Sequence, residues 1–377
     1  MMGLQAQLQE LLDEATEAAV SHGGLPQAEV PSATAGAEAL VGHRGRVIAH
    51  ARSGTGVLFA EDGSLLPEGQ CDPISGEHLW EIASITKTVV ALAALVQVDR
   101  EALDLDAAVA EYLPEFDDGA RRRITVRQLM NHTAGLPAVA EPWRITGGRD
   151  ERAAYLLTRP LDREPGSAHV YSCLGYITLG LALERITGST LPDLVAETVT
   201  GPLAMDSTGY APLEGRPVAA TEYDTKTGRG LVRGEVHDEA AAALGGAGNA
   251  GLFSDAQDLL RLGEEVRTGG RGLLSPQSRS LLWTGTLWPQ EVERVGYNQS
   301  LGFRMGQKSF MGTADQEVIG HTGFVGTSLV IDPRQDLVVV LLTNRVHPHR
   351  ETFASMPLRR AVIRRASLAV PGAGGAD

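Results

Sequence analysis

Leu4, Leu8, Leu11, Leu12 and Ala15 repeat at helical spacing near the start of the chain, which predicts an amphipathic helix packed on the body of the protein. The period then changes. Residues 38–54, EALVGHRGRVIAHARSG, place two short β-prone runs around the turn GHRG and predict a hairpin that GTGVLFAEDGSLL could extend. A strongly apolar helix is expected from near Ser84 to about Asp99, followed by a loop and short helix in REALDLDAAVAEYLPEF. From there to about residue 245 the periodicity is mostly helical, as in 124–132, 152–158 and 174–188.

Residues 243–252, ALGGAGNAGL, are rich in glycine, but their spacing matches neither a P-loop nor a dinucleotide fingerprint. They precede a helix for which Ser254 is the expected N-cap. GTSLVIDP and DLVVVLLTN read as strands joined by the turn PRQD. Strands at both ends with helices between them predict an α/β (α+β) fold: an antiparallel sheet built from both termini, flanked by helices, with a mostly helical insertion. The expected division is an N-terminal helix in 1–30, an α/β lobe from 31–99 and 246–366, a helical lobe over 100–245, and a loose tail from 367 to 377.

A length of 377 residues suits two lobes, or one large domain with an insertion, and so a deep site. With 43% apolar residues and a formal charge of −14, the chain reads as globular and repels phosphate backbones, so no nucleic-acid partner is expected. No window approaches the roughly 20 apolar residues of a membrane span. The N-terminus carries acids where a signal peptide needs a basic region, which points to a cytoplasmic protein without a membrane partner. Cys71 and Cys173 show no disulfide or thiolate-metal spacing and are read as reduced. His347 and His349 lack a third ligand at metal spacing, so neither metal nor cofactor is expected.

Only three lysines occur, and one of them, Lys87, stands among valines, alanines and leucines one turn beyond Ser84. Either its ammonium snorkels to water, or Ser84 is a nucleophile and Lys87 its proton-accepting partner, with burial pulling the lysine pKa down. A serine at a helix start also gains from the positive end of the dipole, and its N–H can point at an oxyanion. Tyr171, at the junction between a loop and the helix starting near Leu174, could project into a cleft or be a core tyrosine with its hydroxyl satisfied. In GHTGFVGTSLV, residues 320–330, small residues open a strand against which a substrate can lie. His237 and Asp238 could line a cleft or brace a loop. Trp143, Trp283 and Trp288 lie in loops that could form a lid or acyl pocket. No Gly-x-Ser-x-Gly is present, which excludes an α/β-hydrolase elbow as the source of the serine.

Taken in order, SITK, YSC and HTG resemble the motifs of the serine β-lactamase and penicillin-binding-protein superfamily, most closely class C β-lactamases and family VIII carboxylesterases. LMNHTAGLP, GPLAMDSTGY, RGEVHDE, AGLFSDAQDL and TNRVHP add to the likeness, which covers nearly the whole chain. The resemblance implies that Ser84 is the nucleophile, Lys87 its partner, and Tyr171 the general base that later protonates the leaving group. It implies an oxyanion hole at the backbone N–H groups of Ser84 and Phe324, with His321, Thr322 and Gly323 standing where the family has Lys-Thr-Gly. Two positions depart from that pattern: Cys173 replaces an amide, and His321, mostly neutral at pH 7, replaces a permanent cation. Both turn the expectation from β-lactams toward esters or small amides as the small-molecule acyl substrate. A biosynthetic transacylase using the same acyl-enzyme, and a non-catalytic binding protein keeping the fold, are the alternatives.

Overall fold

The computed structural model describes residues 3–24 and 30–370. Its central sheet has seven antiparallel strands: β1 (Gly36–His43), β2 (Arg46–Gly54), β3 (Asn298–Gln299), β4 (Arg304–Met305), β5 (Ile319–Thr322), β6 (Ser328–Asp332) and β7 (Leu337–Thr343). Their spatial order is β2-β1-β7-β6-β5-β4-β3, so the first strands of the chain pair directly with the last. The β1–β2 hairpin closes through Arg44 and Gly45, both at positive φ, as a tight two-residue connection requires. GTGVLFAEDGSLL does not extend the hairpin. After Gly54 the chain leaves the sheet and makes only isolated bridges, Thr55 to Pro73 and Phe59 to Leu65.

β7 is buried along its whole length, and its alternation sorts two cores. Val338, Val340 and Leu342 join the larger cluster beneath the helical region, whereas Leu337, Val339 and Leu341 pack with helix α1 (Leu4–His22) and the C-terminal helix Met356–Ala369. Leu8, Leu11, Leu12 and Ala15 of α1 are buried on that second face. The C-terminal helix runs past residue 367, where a tail was expected, because Leu358, Val362, Ile363 and Ala366 anchor it at helical spacing. Residues 371–377 of that tail lie outside the described residues.

The larger cluster is built around helix α2 (Thr86–Asp99), which is buried from Thr86 to Gln97, and helix α3 (Cys173–Thr187) packs against it. Helix α4 (Ala256–Thr268) covers the sheet over β7. Its N-cap is Asp255, whose carboxylate accepts from the Asp258 N–H at 2.9 Å, not the expected Ser254. Ser254 is committed elsewhere: it pairs with Trp80 in a two-residue strand and its hydroxyl bonds Thr208. Among the described residues, no helix is long and apolar enough to cross a membrane.

Candidate active site

Ser84 sits in a 3₁₀ turn, Ala83–Ile85, that runs directly into α2. The preceding Ala83 has φ 48°, a left-handed conformation that disfavours a residue with a Cβ, so the surroundings must hold the turn. They do so from two sides. Ile82 donates to Leu252 O at 2.9 Å, and the Thr327 hydroxyl donates to Ile82 O at 3.2 Å. Gly323 closes the packing: a Cβ there would stand 2.6 Å from Ile82 O and 2.0 Å from Thr327 Oγ1, so any side chain would push β5 away from the serine turn.

Lys87 is completely buried, which removes the snorkelling alternative. Its ammonium donates to Ser84 Oγ at 2.9 Å, to Asn249 O at 2.9 Å and to Cys173 Sγ at 3.7 Å, filling its three donor positions. Burial alone would lower its pKa, as the sequence suggested. Cys173, Tyr171 and Asp238 outweigh that effect and raise it above the usual lysine value. Cys173 is itself pushed up by burial against the pull of Lys87, so it is a neutral thiol at pH 7. The resting site therefore holds an ammonium beside a protonated thiol, a poor arrangement for a cysteine nucleophile.

Tyr171 is half-buried where the chain enters α3. The adjacent Ser172 fixes it, since its hydroxyl accepts from Gly175 N–H at 3.1 Å as the N-cap and donates to Pro137 O at 2.6 Å. Two cations face the Tyr171 ring, Lys87 Nζ and the Arg304 guanidinium, each 4.9 Å from its centroid. His132 and His321 lie with ring centroids 4.6 and 6.0 Å away. Burial holds both imidazoles well below their usual pKa, so the phenol is flanked by two charged and two neutral groups.

His321 is 1% exposed, and its Nδ1 lies 3.0 Å from Thr322 O, so it adds no positive charge. Thr322 is also buried, and its hydroxyl accepts from Arg304 at 3.2 Å. Beyond them the chain turns at Gly323–Thr327, and the Phe324 N–H makes no hydrogen bond to a protein group among the described residues. Ser84 N–H lies in the first turn of its own helical segment, where amides lack intrahelical acceptors. Arg359, buried in the C-terminal helix, fixes the 323–327 turn by donating to Gly323 O at 2.6 Å, Thr327 O at 2.9 Å and Gly326 O at 3.1 Å. Replacing it with methionine strands the Gly326 carbonyl and leaves Gly323 O and Thr327 O with only the backbone N–H groups of Gly326 and Gly323. Arg359→Met is expected to cost about 2–4 kcal/mol in a urea melt and to lower kcat by displacing the Phe324 amide. An unchanged melt would show that the turn holds itself.

A cavity of about 280 Å³ opens at this point, lined by Ser84, Tyr171, Cys173, Trp143 and Phe324 together with Val139, Ala140, Leu174 and Ile177. Phe324 is 46% exposed at the mouth and stacks on His237, which in turn lies 3.1 Å from Glu222. His237 and Asp238 both line the cavity. Trp283 and Trp288 do not: Trp283 packs against the larger core, and Trp288 caps the helix Pro289–Val295.

Three contributors escaped the sequence reading. Arg304 reaches Thr322 because β4 pairs with β5, placing Arg304 opposite Gly320, so a permanent cation stands beside the strand where His321 supplies none. Asn249, within the glycine-rich loop, gives its carbonyl to Lys87 and its amide to Asp238. Glu81, three residues before Ser84, is buried, and desolvation together with Asp238 pushes its carboxyl up to about 8, so it is protonated at neutral pH. An acid in an apolar run was the available signal for Glu81; Arg304 and Asn249 carry none outside the fold.

The β-lactamase family profile matches residues 25–362. A putative D-alanyl-D-alanine carboxypeptidase of Escherichia coli K12 is 30% identical over 335 residues, covering 78% of this chain and 75% of that one. The structure of EstCE1, a hydrolase with promiscuous acyltransferase activity, superposes with a TM-score of 0.74 at 25% identity, covering 95% of this chain and 99% of the other. A family VIII carboxylesterase shares the fold at a TM-score of 0.72 and 20% identity, with 98% of each chain covered. The profile match across nearly the whole chain, on a fold shared with these proteins, places the protein in the β-lactamase family, within the superfamily of serine β-lactamases and penicillin-binding proteins.

Proposed function

We propose that the protein is a serine hydrolase that cleaves esters or small amides through a seryl acyl-enzyme. The observation that carries this reading is the 2.9 Å contact between Ser84 Oγ and a fully buried Lys87 at the wall of a cavity that Tyr171 also lines. In the acylation step Tyr171, acting as a phenolate, accepts the Ser84 proton as Oγ bonds to the substrate carbonyl carbon. The carbonyl oxygen becomes an oxyanion facing the N–H groups of Ser84 and Phe324. Collapse breaks the bond to the leaving group, which takes the proton back from Tyr171. Water then repeats the sequence on the acyl-enzyme and releases the acid. Lys87, held as an ammonium, stabilises negative charge on the tyrosine rather than acting as the resting base.

The test is labelling with a fluorophosphonate probe and mass spectrometry of the modified peptide, alongside turnover of p-nitrophenyl butyrate. Label on Ser84 is expected, and label confined to another residue sinks the reading. Tyr171→Phe should slow acylation about 10²-fold for alkyl esters and less for nitrophenyl esters, whose leaving group needs no proton. Equal losses for both would contradict the role. The mostly apolar cavity walls and the neutral His321 favour p-nitrophenyl butyrate over nitrocefin. A second reading, transfer of the acyl group to an alcohol or amine, is favoured by the likeness to EstCE1. An added alcohol would then divert product from acid to a new ester.

A further inference from the structure

Among the described residues, the carboxylates on the cavity wall pair with cations except at one place. Glu141 pairs with Arg144 at 2.9 Å. Glu239 takes Arg350 at 3.0 Å and Lys226 at 3.3 Å, and Arg350 is shared with Glu222. Lys226 is further held over the Trp143 ring, 4.4 Å from its centroid. Asp238, among the described residues, has no cation within ion-pair distance. Its Oδ1 is occupied, accepting from Ala241 N–H at 2.8 Å as the cap of the helix Glu239–Ala243 and from Asn249 Nδ2 at 3.1 Å. Its Oδ2 has no protein partner among the described residues, and the residue lines the same cavity as Ser84. It is close enough to the reacting groups to act on Lys87, Cys173 and Glu81.

An anion beside largely apolar walls is unfavourable unless something of opposite charge arrives. Lys226 and Arg350 are already engaged, and Lys87 spends its three donors on Ser84, Asn249 and Cys173, so among the described residues Asp238 is the carboxylate of the cavity wall left without a cation at contact distance. We infer that Asp238 is a subsite for an ammonium group on the acyl part of the substrate, which makes the preferred substrate an aminoacyl ester or amide with a free amine. Ser84 and Asp238 line one cavity, and an α-ammonium lies about 2.5 Å from its own carbonyl carbon, so a substrate whose carbonyl meets Ser84 brings its amine into the cavity that Asp238 also lines. The inference rests on the acyl-enzyme reading above.

Competition against p-nitrophenyl butyrate measures it, with D- and L-alanine ethyl ester set against ethyl propionate, which differs only in lacking the amine. One alanine ester should compete at least about 10-fold better than the propionate, the effect of a charged hydrogen bond. That preference ratio should fall about 10-fold or more in both Asp238→Asn and Asp238→Ser, each of which keeps an oxygen able to cap the helix. No preference for the amine in the unmodified enzyme, or no competition by any of these esters, overturns the subsite without recourse to a variant. A ratio unchanged in the folded variants does so as well. Absence of probe label on Ser84 overturns the subsite together with the acyl-enzyme. Label on Ser84 without amine selectivity removes the subsite alone.

Discussion

Ser84→Ala is expected to abolish ester turnover, with kcat down by at least about 10⁴-fold and no fluorophosphonate labelling, while the fold survives. The hydroxyl stands on the cavity wall, accepts from a buried ammonium and lies beside two candidate oxyanion donors. Its loss leaves no equivalent nucleophile. Cys173 stands near enough to be considered, but its thiol is neutral and bonded to the same ammonium. The structural cost is small, because Lys87 keeps Asn249 O and Cys173 Sγ as acceptors when Ser84 Oγ is removed. One lost hydrogen bond is worth about 1 kcal/mol, which for a chain of this length moves Tm by only a few degrees. Retained turnover in a folded Ser84→Ala protein would remove the acyl-enzyme mechanism.

The fold was legible where burial imposed a period. β7 alternates between two cores and α1 shows a stripe, and both periods stand in the sequence because each face meets a different apolar partner. Ser84 and Lys87 were legible for a related reason, since residues three apart on a helix share a face. What lay hidden was each contribution that arrives from a distant segment. The apolar neighbours of Lys87 on its own helix predicted a lowered pKa, but against that burial Cys173, Tyr171 and Asp238 raise it, and they arrive from segments that the helix period cannot reveal. His321 was legible as a lost cation. The cation that stands beside it comes from Arg304 through strand pairing, a register that only the folded sheet defines. Ser254 was the expected cap, but its pairing with Trp80 leaves the cap to the next residue, Asp255, whose side chain serves as well.

Lys87→Met should separate the chemical role of the ammonium from its structural one. Methionine preserves most of the apolar stem buried in α2 but cannot donate to Ser84 Oγ, and it supplies no charge beside Tyr171. The phenolate form of Tyr171 that accepts the Ser84 proton would then have only Arg304 facing it and be harder to reach, so kcat should fall by at least about 10³-fold while KM changes little. Stability should move in the other direction or hardly at all. Removing a fully buried ammonium relieves its desolvation cost, and an apolar residue of similar volume is commonly neutral or stabilising, against about 1–2 kcal/mol for leaving the buried Asn249 carbonyl unpaired. Lys87→Ala should lose as much activity and also lose stability, because it opens a cavity in the larger core as well. A loss of activity below tenfold in a folded Lys87→Met protein would show that the ammonium is a packing element and that Ser84 is activated without it.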